Sequence, residues 1–161
     1  MSTAIYPGSF DPITLGHLNI IRRASRIFDR VDVCVMVNSA KTPMFSLQER
    51  MELIERCVKH LKNVQVHTSD ILLAEYAKRY EDPVLVKGLR AVSDYEYEVQ
   101  MAVINRKMNR TLDTVFLPSS EKYTYISSSM VKEMAKYGSD LREFVPREIL
   151  DDVIERANNR R

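Results

Sequence analysis

The chain has no tryptophan, only four glycines and only two cysteines in 161 residues. So little glycine, with six prolines, excludes collagen-like and low-complexity architectures. The cysteines, Cys34 and Cys57, are too few for a disulfide scaffold and do not have metal-ligand spacing. Both sit in apolar-patterned segments, where reduced residues in or near the core are expected. No apolar run approaches the roughly 20 residues that a bilayer-spanning helix needs, so no membrane association is expected. An excess of one charge is also missing. The 24 Lys and Arg against 22 Asp and Glu leave a net charge of +2, which argues against a dedicated nucleic-acid binder. Met1-Ser2-Thr3-Ala4 carries neither the basic stretch nor the apolar core of a secretory signal, so a cytoplasmic location is expected.

What is present is the composition of a globular protein. Hydrophobic residues at 45% supply a core, and the length suits a single domain over residues 1–161. Short β-branched runs alternate with helical stretches. Strands are predicted at 3–7, 31–37, 64–67, 84–87 and 113–117, mostly apolar, as in strands covered on both faces. Helices are predicted at 15–28, 46–60, 70–80, 94–108, 128–137 and 147–158. Ser46 to Glu49 and Ser93 to Glu96 fit capping boxes, Pro146 fits a first helical position, and Gly138 fits a helix stop. Leu18, Ile21, Ala24, Ile27 and Phe28 form a core-facing stripe on the first helix. The alternation implies an α/β, Rossmann-like, doubly wound domain with a five-stranded parallel sheet in the order 3-2-1-4-5 and helices on both faces.

In such a sheet, ligands bind beyond the carboxyl ends of the strands where the order reverses, here between strands 1 and 4. The unusual residues gather in those loops. Gly8 and Gly16 follow strand 1 and Gly88 follows strand 4, suiting close backbone approach or a positive φ. Thr14 can cap the helix that starts at Leu15, leaving first-turn N–H groups and the helix dipole to favour an anion. His17 lies in that turn, either as a donor to the same anion or as a capping or packing histidine. The spacing of the glycines is not the dinucleotide fingerprint, which disfavours a nicotinamide cofactor. Lys87-Gly88-Leu89-Arg90 puts two cations around a glycine at a strand end, which suits a polyphosphate. Ser127, Ser128 and Ser129 open a helix, and a single cap uses only one of these hydroxyls. Lys41 follows strand 2 on the same edge of the sheet. Arg22, Arg23, Arg26 and Arg30 read as a solvated face, as do Arg106, Lys107 and Arg110. His60 and His67 show no partner pattern and read as structural.

These residues resemble a known family. Tyr6-Pro-Gly-Ser-Phe-Asp-Pro-Ile-Thr14, Leu15-Gly-His17, Pro43-Met-Phe45, Gly88-Leu-Arg-Ala-Val92, Asp94-Tyr-Glu-Tyr-Glu98 and Ile126-Ser-Ser-Ser129 look like the bacterial phosphopantetheine adenylyltransferases. That family lies in the nucleotidylyltransferase superfamily with the (His/Thr)-x-Gly-His motif. The motif alone indicates only the superfamily, and the combination is far more specific. The resemblance implies transfer of the adenylyl group of ATP to 4′-phosphopantetheine by direct in-line attack of the acceptor phosphate. The products are 3′-dephospho-coenzyme A and pyrophosphate, in the penultimate step of coenzyme A synthesis. It implies Mg²⁺ as cofactor and a homohexamer built as a dimer of trimers. No carboxylate pair in the sequence stands out for metal, so Mg²⁺ is expected to be carried mainly by ATP phosphates and water, with no protein metal ligands.

By the same resemblance, His17 stabilises the transition state. Ser9, Lys41, Leu73 and Lys87 hold the acceptor. Ser9, Phe10, His17, Gly88, Leu89, Arg90, Glu98, Tyr123, Thr124, Tyr125, Ile126, Ser127, Ser128 and Ser129 hold ATP. Three positions depart from the family's common pattern: Ser9 is often threonine, Tyr123 often tryptophan, and Lys87 usually arginine. Lysine keeps the charge of arginine without its bidentate fork. The alternatives are another enzyme of the superfamily with a different phosphate acceptor, or a non-catalytic nucleotide sensor.

Overall fold

The computed structural model describes residues 1–160, with the side chains of all but Val92 and Ser93. The β-branched runs form five strands: β1 (Thr3–Gly8), β2 (Arg30–Met36), β3 (Val64–Ser69), β4 (Val84–Leu89) and β5 (Asp113–Pro118). They pair in the expected order, β3-β2-β1-β4-β5, and every pairing is parallel. The order reverses between β1 and β4, where Ala4 faces Val84 and Ile5 faces Leu85. Ala4, Ile5, Val31, Val33 and Val86 are fully buried, because helices cover both faces of these inner strands. The edge strands β3 and β5 are only partly buried and do not fit the expectation of cover on both faces.

The helices are α1 (Leu15–Ile27), α2 (Leu47–Val58), α3 (Leu73–Tyr76), α4 (Val92–Met108), α5 (Ser128–Lys136) and α6 (Leu150–Asn158). Ser46 and Glu49 form the expected capping box at α2. Gly138 has φ 72° and closes α5 as expected. Its N–H donates to the Ala135 carbonyl and the Ser139 N–H to the Met134 carbonyl, the two bonds of a Schellman motif.

Four expectations need correction. The buried stripe of α1 is Leu18, Ile20, Ile21 and Ala24, and Phe28 packs against the core as expected; Ile27 is exposed, because the chain leaves the helix in extended conformation at Phe28. The helix expected over 70–80 is one turn, α3, followed by a 3₁₀ turn at Ala77–Arg79, since no side chain caps it at Leu72. The helix expected from 94 starts at Val92 behind an uncapped Ala91, and the Ser93 side chain of the expected capping box lies outside the described residues. Pro146 precedes a 3₁₀ turn (Arg147–Ile149) that leads into α6, rather than opening the helix itself.

The loop from β1 to α1 is built tightly. Phe10 adopts φ 48°, a left-handed conformation that is unfavourable for a residue with a side chain, and the Asp11–Pro12 peptide is cis. The Phe10 ring folds back over Gly8, where a Cβ would come within 2.9 Å of it. Asp11 is buried and accepts the Met44 N–H at 2.8 Å and the Phe45 N–H at 2.9 Å. It also pairs with Lys132 on α5 at 2.9 Å. Arg50, buried on α2, donates to the Ser9 carbonyl at 2.8 Å. One carboxylate therefore ties the first loop, the segment after β2 and α5 together. Replacing Asp11 with alanine orphans two buried N–H groups and strips Lys132 of its partner. The expected loss is roughly 3 kcal/mol of stability, read as a lower urea midpoint at unchanged slope.

Candidate functional site

A cleft of about 310 Å³ opens where β1 and β4 part, at the carboxyl ends of the strands. The first loop supplies Gly8, Ser9, Phe10, Thr14, Gly16 and His17 to its wall. From β4 and the loop after it come Lys87, Gly88 and Arg90, and from α4 comes Glu98. The start of α5 adds Ser127, Ser128 and Ser129, with Tyr123 and Ile126 before them, and Lys41 closes the far side. The fold thus brings together nearly all the residues singled out in the sequence.

His17 is held in one protonation state and one orientation. Thr14 caps α1 by accepting the His17 N–H at 3.3 Å. In return the Thr14 N–H donates to His17 Nδ1 at 3.0 Å. A backbone N–H can only donate, so Nδ1 is the acceptor and the ring proton sits on Nε2. Burial, and then the positive charge of Arg90, lower the imidazole from its ordinary value to about 4. The ring is therefore neutral at pH 7 and offers an N–H to the cleft. Phe10 packs edge-on against it with ring centroids 5.0 Å apart. The cap reading of His17 is realised through Nδ1, which leaves Nε2–H available as a donor.

The cations surround this donor. Arg90 is anchored by a bond to the Ile126 carbonyl at 3.1 Å and lies 3.7 Å from Asp94. Lys41 has no ion-pair partner among the described residues. Lys87 lies 3.4 Å from Glu98. Glu98 therefore serves Lys87 here. Both residues also line a second, smaller cavity of about 90 Å³, whose wall includes Leu73.

The serine triplet divides its work. Ser127 caps α5 by accepting the Met130 N–H at 3.1 Å, and Ser128 donates to the Pro12 carbonyl at 2.7 Å. Ser129 has no protein partner for its hydroxyl among the described residues. Only one hydroxyl is thus left over, where the sequence suggested two.

Some expected residues lie elsewhere. Leu73 lines the smaller cavity only. Leu89, Thr124 and Tyr125 do not line the cleft; Tyr125 is largely exposed, and Thr124 donates to the Ser120 carbonyl. Tyr6, Ile20 and Ser119 line it without having been assigned a role from the sequence. Tyr6 could have been found from its place at the end of a central strand beside Gly8, whereas Ile20 and Ser119 carry no local signal. The glycines do not act through positive φ at these loops. Gly88 instead gives Ile20 room, since a Cβ there would meet its side chain at 3.2 Å.

A cytidylyltransferase-like family model matches residues 5–134. A phosphopantetheine adenylyltransferase of Caldanaerobacter subterraneus is 51% identical over 156 residues, covering 97% of this chain and 98% of that one. One of Alkaliphilus metalliredigens is 51% identical over 157 residues, covering 98% and 100%. One of Clostridium tetani is 47% identical over 160 residues, covering 99% and 100%. A solved structure of a putative nicotinate-nucleotide adenylyltransferase from Vibrio parahaemolyticus superimposes with a TM-score of 0.68 at 21% identity, covering 97% and 96%, and so shares the fold. With about half of all residues shared over nearly the full length of both chains, this chain belongs to the phosphopantetheine adenylyltransferase family.

Proposed function

We propose that the protein transfers the adenylyl group of ATP to 4′-phosphopantetheine, giving 3′-dephospho-coenzyme A and pyrophosphate. The observation that carries this reading is the neutral His17, fixed by Thr14 as an Nε2–H donor in a cleft flanked by Lys41, Lys87 and Arg90. A phosphate acceptor is already a nucleophile, so the site needs neither a covalent intermediate nor a strong base. It needs positioning and donors aimed at the oxygens around the α-phosphorus as charge builds there. His17 supplies the donor. Arg90 and the first turn of α5, with the free Ser129 hydroxyl, suit the ATP phosphates. Ser9, Lys41 and Lys87 suit the acceptor phosphate, with the remaining arm of the acceptor running toward Leu73 in the smaller cavity.

Mg²⁺ fits this scheme only as a companion of the nucleotide. Asp11 is committed to Lys132 and two backbone N–H groups, and Glu98 to Lys87. The ion would ride on ATP phosphates and water, where it neutralises phosphate charge. Assembly into a homohexamer, as a dimer of trimers in a cytoplasmic setting, is part of the same reading. Its support is α4, which leaves Tyr97, Val103, Ile104 and Met108 exposed. Sedimentation of the purified protein is expected to give six times the 18.7 kDa chain mass, and a monomer would overturn that assembly.

Pyrophosphate release with ATP and Mg²⁺ tests the reaction itself. Turnover is expected with 4′-phosphopantetheine and not with nicotinate or nicotinamide mononucleotide; the reverse pattern would sink the assignment.

His17→Ala is expected to lower kcat by roughly 10²-fold or more, with a much smaller change in the KM for ATP. Equal losses in both would mean that His17 binds the ground state as strongly as the transition state. In the free protein, an NMR titration is expected to place His17 near pH 4. The ring stays neutral as pH falls from 8 to 6, so no activity is lost there through its protonation. Replacing Arg90 with alanine removes one of the two causes of the low value, and the midpoint is expected to move up.

A further inference from the structure

Asp32, in the middle of β2 between two valines, has no exposed surface and does not line the cleft. A carboxylate in that position costs several kcal/mol unless its oxygens are matched. They are. Oδ2 accepts the hydroxyls of Tyr76 at 2.6 Å and Tyr80 at 2.7 Å, and Oδ1 meets His67 Nδ1 at 2.8 Å. Burial, together with the bond to Asp32, holds Tyr80 up at about 12, so that hydroxyl keeps its proton and donates.

Two of these three donors belong to one short segment. Helix α3 is only four residues long and has no side-chain cap, far below the roughly 12 residues at which a helix stands alone. Its place is set by what it docks against. Ala74, Tyr76 and Ala77 pack on Ile5, Cys34, Leu85 and Leu112, contacts that attract without fixing direction. Direction comes from the two tyrosine hydroxyls and from Asn109, which donates to the Ala74 carbonyl at 3.2 Å. The first residue of α3, Leu73, forms a wall of the small cavity beside Lys87, Glu98 and Asn105. Since Lys87 and Glu98 line both spaces, the small cavity adjoins the cleft at the lysine proposed to hold the acceptor phosphate.

We infer that Asp32 is a positioning residue for the acceptor: through Tyr76 and Tyr80 it clamps α3 so that Leu73 walls the small cavity beside the cleft. The inference rests on the proposed reaction, with the acceptor's distal arm in the small cavity. Asp32 touches no substrate. Its effect passes through α3 to the arm of the acceptor and leaves ATP and the reacting phosphates alone.

Steady-state kinetics of Tyr76→Phe test this. The KM for 4′-phosphopantetheine is expected to rise roughly five- to tenfold, while kcat and the KM for ATP stay within about twofold. With a short alkyl phosphate lacking the distal amide arm, the variant and the unmodified protein are expected to match in kcat/KM. Equal losses on the long and the short acceptor, or an unchanged acceptor KM, would overturn the inference and leave Asp32 a stability device. Tyr80→Phe keeps the Tyr76 bond and reads the same split if Tyr76→Phe does not fold. A failure of the unmodified protein to turn over 4′-phosphopantetheine at all counts against the proposed reaction instead.

Discussion

The reciprocal pair of hydrogen bonds between Thr14 and His17 is the interaction on which the site depends. It closes the amino end of α1, as any capping box does, but its reaching side chain is an imidazole instead of a carboxylate. A carboxylate in that place would spend its charge on the helix. The imidazole spends one nitrogen on the helix and keeps the other for the cleft. The helix start and the donor are therefore a single structure, and neither can shift without the other.

This arrangement holds only if the loop before it is rigid. Phe10, in a left-handed conformation, presses its ring between Gly8 and His17, so the imidazole is bounded by backbone on one side and an aromatic edge on the other. Asp11 converts the same loop into a junction, since its two oxygens reach the segment that follows Lys41 and the lysine of α5. Groups from distant parts of the chain thus meet around one donor with little freedom left to lose when a nucleotide binds, which is the condition for catalysis by positioning. The cost is a strained residue and a buried carboxylate, and the surrounding hydrogen bonds offset both.

A second buried carboxylate, Asp32, plays a parallel part on the other face of the sheet. Asp11 organises the wall that carries Lys41, and Asp32 organises the wall that carries Leu73. In both cases an apolar residue would have filled the space, but apolar contact leaves a short segment free to slide. A hydrogen-bonded acid fixes its direction.

Much of this was legible beforehand. Alternating β-branched and helical stretches dictate a parallel sheet, and the handedness of the crossovers leaves few strand orders, so the switch point and its loops followed from the sequence. Thr14, Ser46 and Gly138 act locally and were read correctly, because a cap or a left-handed stop depends on residues only a few positions away. The rest is decided by groups far along the chain: Asp32 is the partner of His67, and Asp32 and Asn109 hold the short α3 in place. The same is true of the charge state of His17. By itself the sequence determined that an anion-favouring helix start with a histidine stands at the switch point. The Thr14 cap, only three residues away, sets its tautomer. Only the tertiary structure decided that this histidine is neutral, because burial and the Arg90 charge come from surroundings that local spacing does not encode.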